Sequence, residues 1–198
     1  MTLNSKLLPS VTLFIGPPAS GKDTQAKLLS SKTGALVIST GDLLRDAIWI
    51  HRPGFKDVPD KIREGRPVDW KAVFLLMDEE FSKSDLSQGL IITGFPRSLE
   101  QAQKFETLLT KHGLRLDKVI SLATEESLVR ERMRNRVNLS DDVRIDDNEE
   151  VLDQRMMEYK ISTQPILDYY RPKGLLVEID NNQSVADVFK EISTKCQK

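Results

Sequence analysis

Residues 11–26 read VTLFIGPPASGKDTQA, an apolar run from Val11 to Ile15 that breaks at Gly16-Pro17-Pro18-Ala19-Ser20-Gly21-Lys22 and resumes with helical character from Asp23. The spacing G-x-x-x-x-G-K, caught between a strand and a helix, is that of a phosphate-binding loop. Its physics is direct. Glycine lets the backbone curl so that several N–H groups point inward, the helix N-terminus adds positive potential, and Lys22 brings a mobile charge for the β- and γ-phosphates. Gly16, Pro17, Pro18, Ala19, Ser20, Gly21, Lys22, Asp23 and Thr24 are therefore the candidate cradle for a nucleoside triphosphate.

Working outward, short β-branched apolar runs recur at 11–15, 35–39, 90–93, 118–122 and 175–179, each bounded by turn residues. Helical spacing occupies 23–31, 70–83, 99–112, 125–136 and 149–170. Strands alternating with helices demand crossover connections, so the expected fold class is α/β, a doubly wound, five-stranded parallel sheet covered on both faces. Two segments interrupt the alternation. Residues 41–68 contain HRPGFKDVP, rich in helix breakers, and read as a small helical insertion. Residues 137–147, VNLSDDVRIDD, are polar with little periodicity and read as a surface loop. A single domain over 1–198 is expected, with its core at 1–40, 69–136 and 148–198.

Composition narrows the function classes. With 29 Lys+Arg against 30 Asp+Glu the net charge is -1, which gives no general field for nucleic acid or an anionic membrane. No apolar stretch approaches the roughly 20 residues that span a bilayer. The first residues, MTLNSKLLPSVTLFIG, lack the basic-then-apolar pattern of a secretory leader, so a cytoplasmic protein is expected. The one cysteine, Cys196, forms no internal disulfide or cysteine zinc cluster. His112 is expected at an exposed helix end.

Three further stretches follow the phosphate loop: STGDLLR at 39–45, GFPRSLEQ at 94–101 and RIDDNEE at 144–150. Together with GPPASGKDTQA they resemble the adenylate kinases, in the family's order and at nearly its spacings, over most of the chain. The resemblance implies a core carrying an AMP-binding insertion, here 41–68, and a short lid, here 137–147, closing over ATP. A lid without cysteine implies no structural zinc. The implied reaction is reversible transfer from Mg-ATP to AMP giving two ADP, with Mg²⁺ entering with the nucleotide and a monomer as the working unit.

Phosphoryl transfer needs alignment, charge neutralisation and exclusion of water more than covalent help, and arginine's planar fork suits phosphate better than lysine's point charge. The resemblance assigns catalysis to Lys22, Arg97, Arg136, Arg144 and Arg155. It gives Arg136 an ATP-phosphate role and Arg132 a stacking contact with adenine; the two are four apart and share a helical face. Gln183, in a late loop, would lie against the ATP base. For AMP it implies Thr40, Arg45, Arg66, Pro67, Val68, Gly94, Phe95, Pro96, Arg97, Gln101, Arg144 and Arg155. Thr40 and Gln101 would read the adenine edge, an amide offering both donor and acceptor. Asp146 and Asp147 would serve lid or ribose, or start the helix that follows.

The sequence departs from the family at two positions that matter for metal. Thr93 stands where Asp usually precedes Gly-Phe-Pro-Arg and holds Mg²⁺ through water, and Asp23 stands where glycine usually follows the lysine. A carboxylate beside the cradle repels polyphosphate unless a cation intervenes, so Asp23 is a candidate to assume part of the magnesium-organising role, with Thr93 touching metal only through water. Two alternatives stay open: a kinase for another nucleoside monophosphate, and a non-catalytic nucleotide-binding regulator.

Overall fold

The structure, a computed structural model, describes residues 8–139 and 148–196. Five strands, β1 Ser10–Ile15, β2 Leu36–Ser39, β3 Leu90–Thr93, β4 Arg115–Ala123 and β5 Leu176–Asp180, form one sheet in the order β2-β3-β1-β4-β5. Every pairing is parallel. The helices are α1 Lys22–Thr33, α2 Thr40–Trp49, α3 Val58–Arg63, α4 Trp70–Lys83, α5 Leu99–Lys111, α6 Glu126–Leu139, α7 Glu149–Tyr170 and α8 Val185–Cys196. The expected doubly wound α/β class is what the chain adopts.

Alternation along the strands explains the two layers. Leu13 and Ile15 of β1 join Leu90, Ile92, Phe105 and Ile166 in one apolar cluster, while Phe14 joins Ile91, Ile120, Ala26, Val188 and Ile192 in another. One face is thus covered by α2, α4, α5 and α7, the other by α1 and α8. Each fully buried Leu, Ile or Phe is worth about 2 kcal/mol of transfer free energy. A third cluster, Val129 and Met133 against Leu152 and Met156, fastens α6 to α7.

Some boundaries differ from the sequence expectation. Strand β4 begins at Arg115, ahead of the expected 118, because its pairing with β1 runs through a bulge: Val11 faces Leu116 and Thr12 faces Lys118, so Asp117 is the extra residue. Polar Arg115 and Asp117 hide that extension from a hydrophobic pattern. Helix α6 continues to Leu139, so the first residues of the expected 137–147 loop belong to a helix. Helix α2 starts at Thr40, with no linker after β2, because the Ser39 hydroxyl accepts from the Asp42 N–H and caps it. Helix α8 had no counterpart in the expectation, although Val185, Val188, Phe189 and Ile192 carry the right spacing. His112 is not exposed: its ring packs edge-on against Phe81 and shares a 2.7 Å hydrogen bond with Asp78.

Parallel register places the site. Phe14 pairs with Thr93 and Thr93 with Ser39, so β1, β3 and β2 all end at one edge. The chain winds to one side of β1 and then to the other, and such a reversal leaves a crevice beyond the carboxyl ends of the strands.

Candidate active site

The loop after β1 fills that crevice. Gly21 takes φ 88°, a left-handed conformation that turns the chain into α1 without a side-chain penalty, and Ala19 also has positive φ at 52°. The resulting curl brings successive N–H groups to one side, the nest that receives anionic oxygens. Lys22 folds back over it, its Nζ donating to the carbonyls of Gly16 at 2.9 Å and Pro17 at 2.6 Å.

The loop is braced from behind. Ser20 is 1 % exposed, and its carbonyl accepts from Arg132 Nη1 at 2.8 Å and from Asn181 Nδ2 at 2.8 Å. Arg132 Nη2 donates to the Asn181 carbonyl at 3.1 Å, and Asn181 Nδ2 also reaches Thr124 Oγ1 at 2.7 Å. Desolvation in this network draws the Arg132 pKa below the ordinary arginine value, against a smaller opposing effect of Glu131. The guanidinium assigned an adenine-stacking role is here a strut between α6, the phosphate loop and the β5–α8 loop.

A cleft of about 510 Å³ opens in front of the loop. Among the described residues its wall carries Lys22, Lys27, Arg45, Arg97, Arg132, Arg136 and Arg155 against two carboxylates, Asp23 and Glu158. That imbalance suits polyanionic ligands. Arg97 hangs from the loop after β3, where Nε donates to the Gly94 carbonyl at 3.0 Å and its backbone N–H donates to Gln101 Oε1 at 2.6 Å. Arg97 stays exposed on the cleft wall; the desolvation it incurs there, then the like charge of Arg45, lower its pKa from the arginine norm, with Asp23 pulling the other way. Such a cation gains most from an incoming phosphate.

Gly94 needs to be glycine. Its φ is +74°, and a Cβ there would lie 2.8 Å from Thr40 Oγ1. The Thr40 hydroxyl itself donates to the Gly94 carbonyl at 2.9 Å. Phe95 and Pro96, on the same turn, reach the cleft wall.

The sequence-derived candidates sort as follows. Gly16, Pro18, Ala19, Ser20, Gly21, Lys22, Asp23, Thr24, Thr93, Gly94, Phe95, Pro96 and Arg97 line the cleft with Arg45, Pro67, Arg132, Arg136 and Arg155. Arg66 and Val68 line a small adjoining hollow shared with Arg45, Arg97 and Arg155; Arg66 Nε pairs with Glu64 at 2.5 Å. Pro17, Thr40, Gln101 and Gln183 stand off the wall. Thr40 and Gln101 are buried behind the β3 turn, and Gln183 is exposed, its Nε2 3.4 Å from the Asp180 carbonyl. Arg144, Asp146 and Asp147 lie outside the described residues. Asn148 caps α7 by accepting from the Val151 N–H at 2.9 Å.

Sequence reasoning missed several wall residues: Gln25, Glu158, Tyr159, Thr163, Asn181 and Val185. Gln25 was legible, falling on the cradle side of α1 just after the motif. Asn181 was not, because nothing local to residue 181 shows that it will touch residue 20.

The oxygen groups near the cradle are Asp23, Thr24 and Thr93, with Thr93 Oγ1 donating to Asp23 Oδ1 at 2.6 Å. Among the described residues no three His, Cys, Asp or Glu side chains gather into a metal-binding set. One carboxylate with hydroxyls fits Mg²⁺, a hard ion that keeps most of its waters and leans on substrate phosphates. Among the described residues no helix is long and apolar enough to cross a membrane.

Comparisons agree with this geometry. The sequence model of the family described as "Adenylate kinase" matches residues 14–175. A protein of Nitrobacter winogradskyi named adenylate kinase is 36% identical over 184 residues, covering 91% of this chain and 89% of its own. One of Rhizobium meliloti with the same name is 35% identical, covering 91% and 96%. Another from Archaeoglobus fulgidus is 33% identical over 211 residues, covering 94% and 97%. Phosphate loop, arginine-lined cleft and matches spanning nearly the whole chain come together in one conclusion: the chain belongs to the adenylate kinase family.

Proposed function

We propose that this protein is an ATP:AMP phosphotransferase in which the cleft in front of the phosphate loop holds both nucleotides. The observation that carries the reading is the convergence of Lys22 with Arg45, Arg97, Arg132, Arg136 and Arg155 on one cleft from five separate elements of the chain. A protein that only held ATP would have no use for cations on both sides of the γ-phosphoryl.

The ATP polyphosphate lies in the cradle, its β- and γ-oxygens receiving the N–H groups of residues 19–24 and the ammonium of Lys22. Lys22 exchanges its carbonyl partners for phosphate oxygens, a charge-assisted and stronger pairing. AMP enters from the side of the insertion, its phosphate held by Arg45 and Arg97, with Arg155 serving the transferred group and Arg144 assigned the same role by the family resemblance. An AMP phosphate oxygen attacks the γ-phosphorus in line, the bond to the β–γ bridging oxygen breaks, and that oxygen leaves on ADP. Mg²⁺ with ATP neutralises charge on the β- and γ-phosphates. The arginines do the same from the sides, in a cleft that sheds water and so strengthens every contact.

AMP as acceptor rests on the family match; Thr40 and Gln101, off the cleft wall, hold the turn that carries Arg97, the Thr40 hydroxyl donating to the Gly94 carbonyl and the Arg97 N–H to Gln101 Oε1. The reading takes the chain as a cytoplasmic monomer in which 41–68 serves AMP and 137–147 serves as lid.

The test is the initial rate of ADP formation from ATP with AMP, CMP, UMP or GMP, in magnesium and then in excess EDTA. Magnesium-dependent turnover preferring AMP is the expected result. Preference for another monophosphate would reassign the acceptor, and ATP binding without turnover would favour a regulator.

A further inference from the structure

Phe95 follows Gly94 on the turn after β3, reaches the cleft wall and is 2 % exposed. Two other rings grip it edge-on. Phe105 of α5 lies 4.9 Å away between centroids, at 62°, and Phe74 of α4 lies 5.6 Å away, at 67°. Trp70, one turn before Phe74 on the same face of α4, meets the Phe74 ring at 5.4 Å and 85°. Lys104 Nζ stands 4.7 Å from the Trp70 ring centroid, which closes the circuit back onto α5, the helix that carries Phe105. Trp70 and Phe74 are half-buried and stand off the cleft wall.

We infer that Phe74 is a positioning residue for the acceptor nucleotide: it holds Phe95, and with it the turn that carries Arg97, against Trp70 at the root of the segment 41–68. The inference rests on the phosphoryl-transfer reading above and adds to it a residue outside the cleft. Position along the chain supplies the second half of the argument. Pro67 lines the cleft, Asp69 caps α4 by accepting from the Lys71 N–H at 2.9 Å, and Trp70 is the first residue of that helix. The aromatic chain therefore joins two parts of the acceptor end, the return of 41–68 into α4 and the turn from Gly94 to Arg97.

Ring edges carry partial positive charge and ring faces partial negative, so an edge-to-face pair is directional where an aliphatic contact is not. Phe95 is held on two sides in this way, and a rotation of its ring has to break one pair or the other. Its backbone leaves little slack, because the Gly94 carbonyl accepts from the Thr40 hydroxyl and the Arg97 N–H donates to Gln101 Oε1. Leucine at position 74 keeps the apolar bulk and gives Phe95 no oriented partner. A side chain that only filled space between α4 and α5 would change stability and leave the affinities for the two nucleotides in proportion.

The probes are AMP alone and adenosine 5′-(β,γ-imido)triphosphate with Mg²⁺, each titrated calorimetrically into the full chain. Phe74→Leu is expected to weaken AMP binding by roughly two- to tenfold, the worth of one aromatic pair, and to leave the ATP analogue within about twofold of wild type. Phe74→Tyr keeps the ring and is expected to recover AMP affinity. In a Phe95→Leu background, Phe74→Leu is expected to cost no further AMP affinity, because the route through Phe95 is already cut. Phe74→Met repeats the measurement if the leucine variant fails to fold. Unchanged AMP affinity in the folded variant overturns the inference, as do equal losses for AMP and the analogue, an additive loss in the double variant, or a loss in Phe74→Tyr equal to that in Phe74→Leu. If wild type makes ADP from ATP and AMP while these affinities go against Phe74, only this inference fails; a wild type that binds no AMP overturns the functional reading and this inference together.

Discussion

The side-chain amide of Asn181 donates at 2.8 Å to the carbonyl of Ser20, tying the loop after β5 to the phosphate loop across 161 positions of sequence. Arg132 donates to the same oxygen from α6, so the cradle is held by two elements that lie nowhere near it in the chain. A loop whose N–H groups must converge on phosphate benefits from carbonyls pinned on its far side, since each pinned carbonyl fixes the peptide plane that aims the next N–H.

Asn181→Ala removes one of those pins and leaves Thr124 without its amide partner. The expected cost is about 1–3 kcal/mol, the penalty of unmet buried polar groups, read by urea unfolding. KM for ATP should rise more than KM for AMP, because the damage is to the cradle. Equal rises in both would show that Asn181 supports the fold without aiming the loop.

Lys22→Met keeps the length of the side chain and deletes its charge. Loss of a preorganised charge on the transferring phosphoryl is worth roughly 10²–10³ in kcat. Steady-state kinetics against an unchanged circular dichroism spectrum checks it; a kcat within tenfold of wild type would remove Lys22 from the catalytic set.

Gly94→Ala places a methyl group 2.8 Å from the Thr40 hydroxyl at a backbone angle of +74°. A forced left-handed alanine with a close contact costs about 1–3 kcal/mol. The same shift moves Arg97, so thermal unfolding and KM for AMP should both respond. A stable variant with normal AMP kinetics would contradict the placement of this turn.

Tyr170 is wholly buried, and among the described residues its hydroxyl meets no hydrogen-bond partner. Burial, then the nearby charges of Tyr169 and Glu106, push its pKa upward. Tyr170→Phe keeps the ring and discards the unsatisfied group, so unfolding free energy should hold or increase by about 1 kcal/mol. A loss of stability would reveal a partner for the hydroxyl.

Asp78 carries an acid-side dependence. Lys111, and after it His112, donate to its carboxylate and hold its pKa below the ordinary value. The sign follows by linkage: its contribution is complete above the unfolded pKa of about 3.9 and is lost as pH falls through the folded value. Between pH 5 and pH 3 the wild type should therefore lose more stability than Asp78→Asn, by urea midpoints at each pH. Identical slopes would show that the contact has no energetic weight.

The sequence alone carried the class of fold and the location of the cradle, because both rest on local patterns. Five apolar runs alternating with amphipathic stretches leave a parallel sheet as the way to bury both faces, and G-x-x-x-x-G-K between strand and helix encodes its own curl. What local pattern cannot express is which distant groups share a point in space. Periodicity on its own gave no reason for Thr93 to meet Asp23, for Arg132 to strut the loop instead of facing the cleft freely, or for Asn181 to matter at all. Those contacts arise from the register of β1 with β3, the packing of α6 on α7 and the return of the chain through β5, and only the assembled sheet brings them within hydrogen-bond distance.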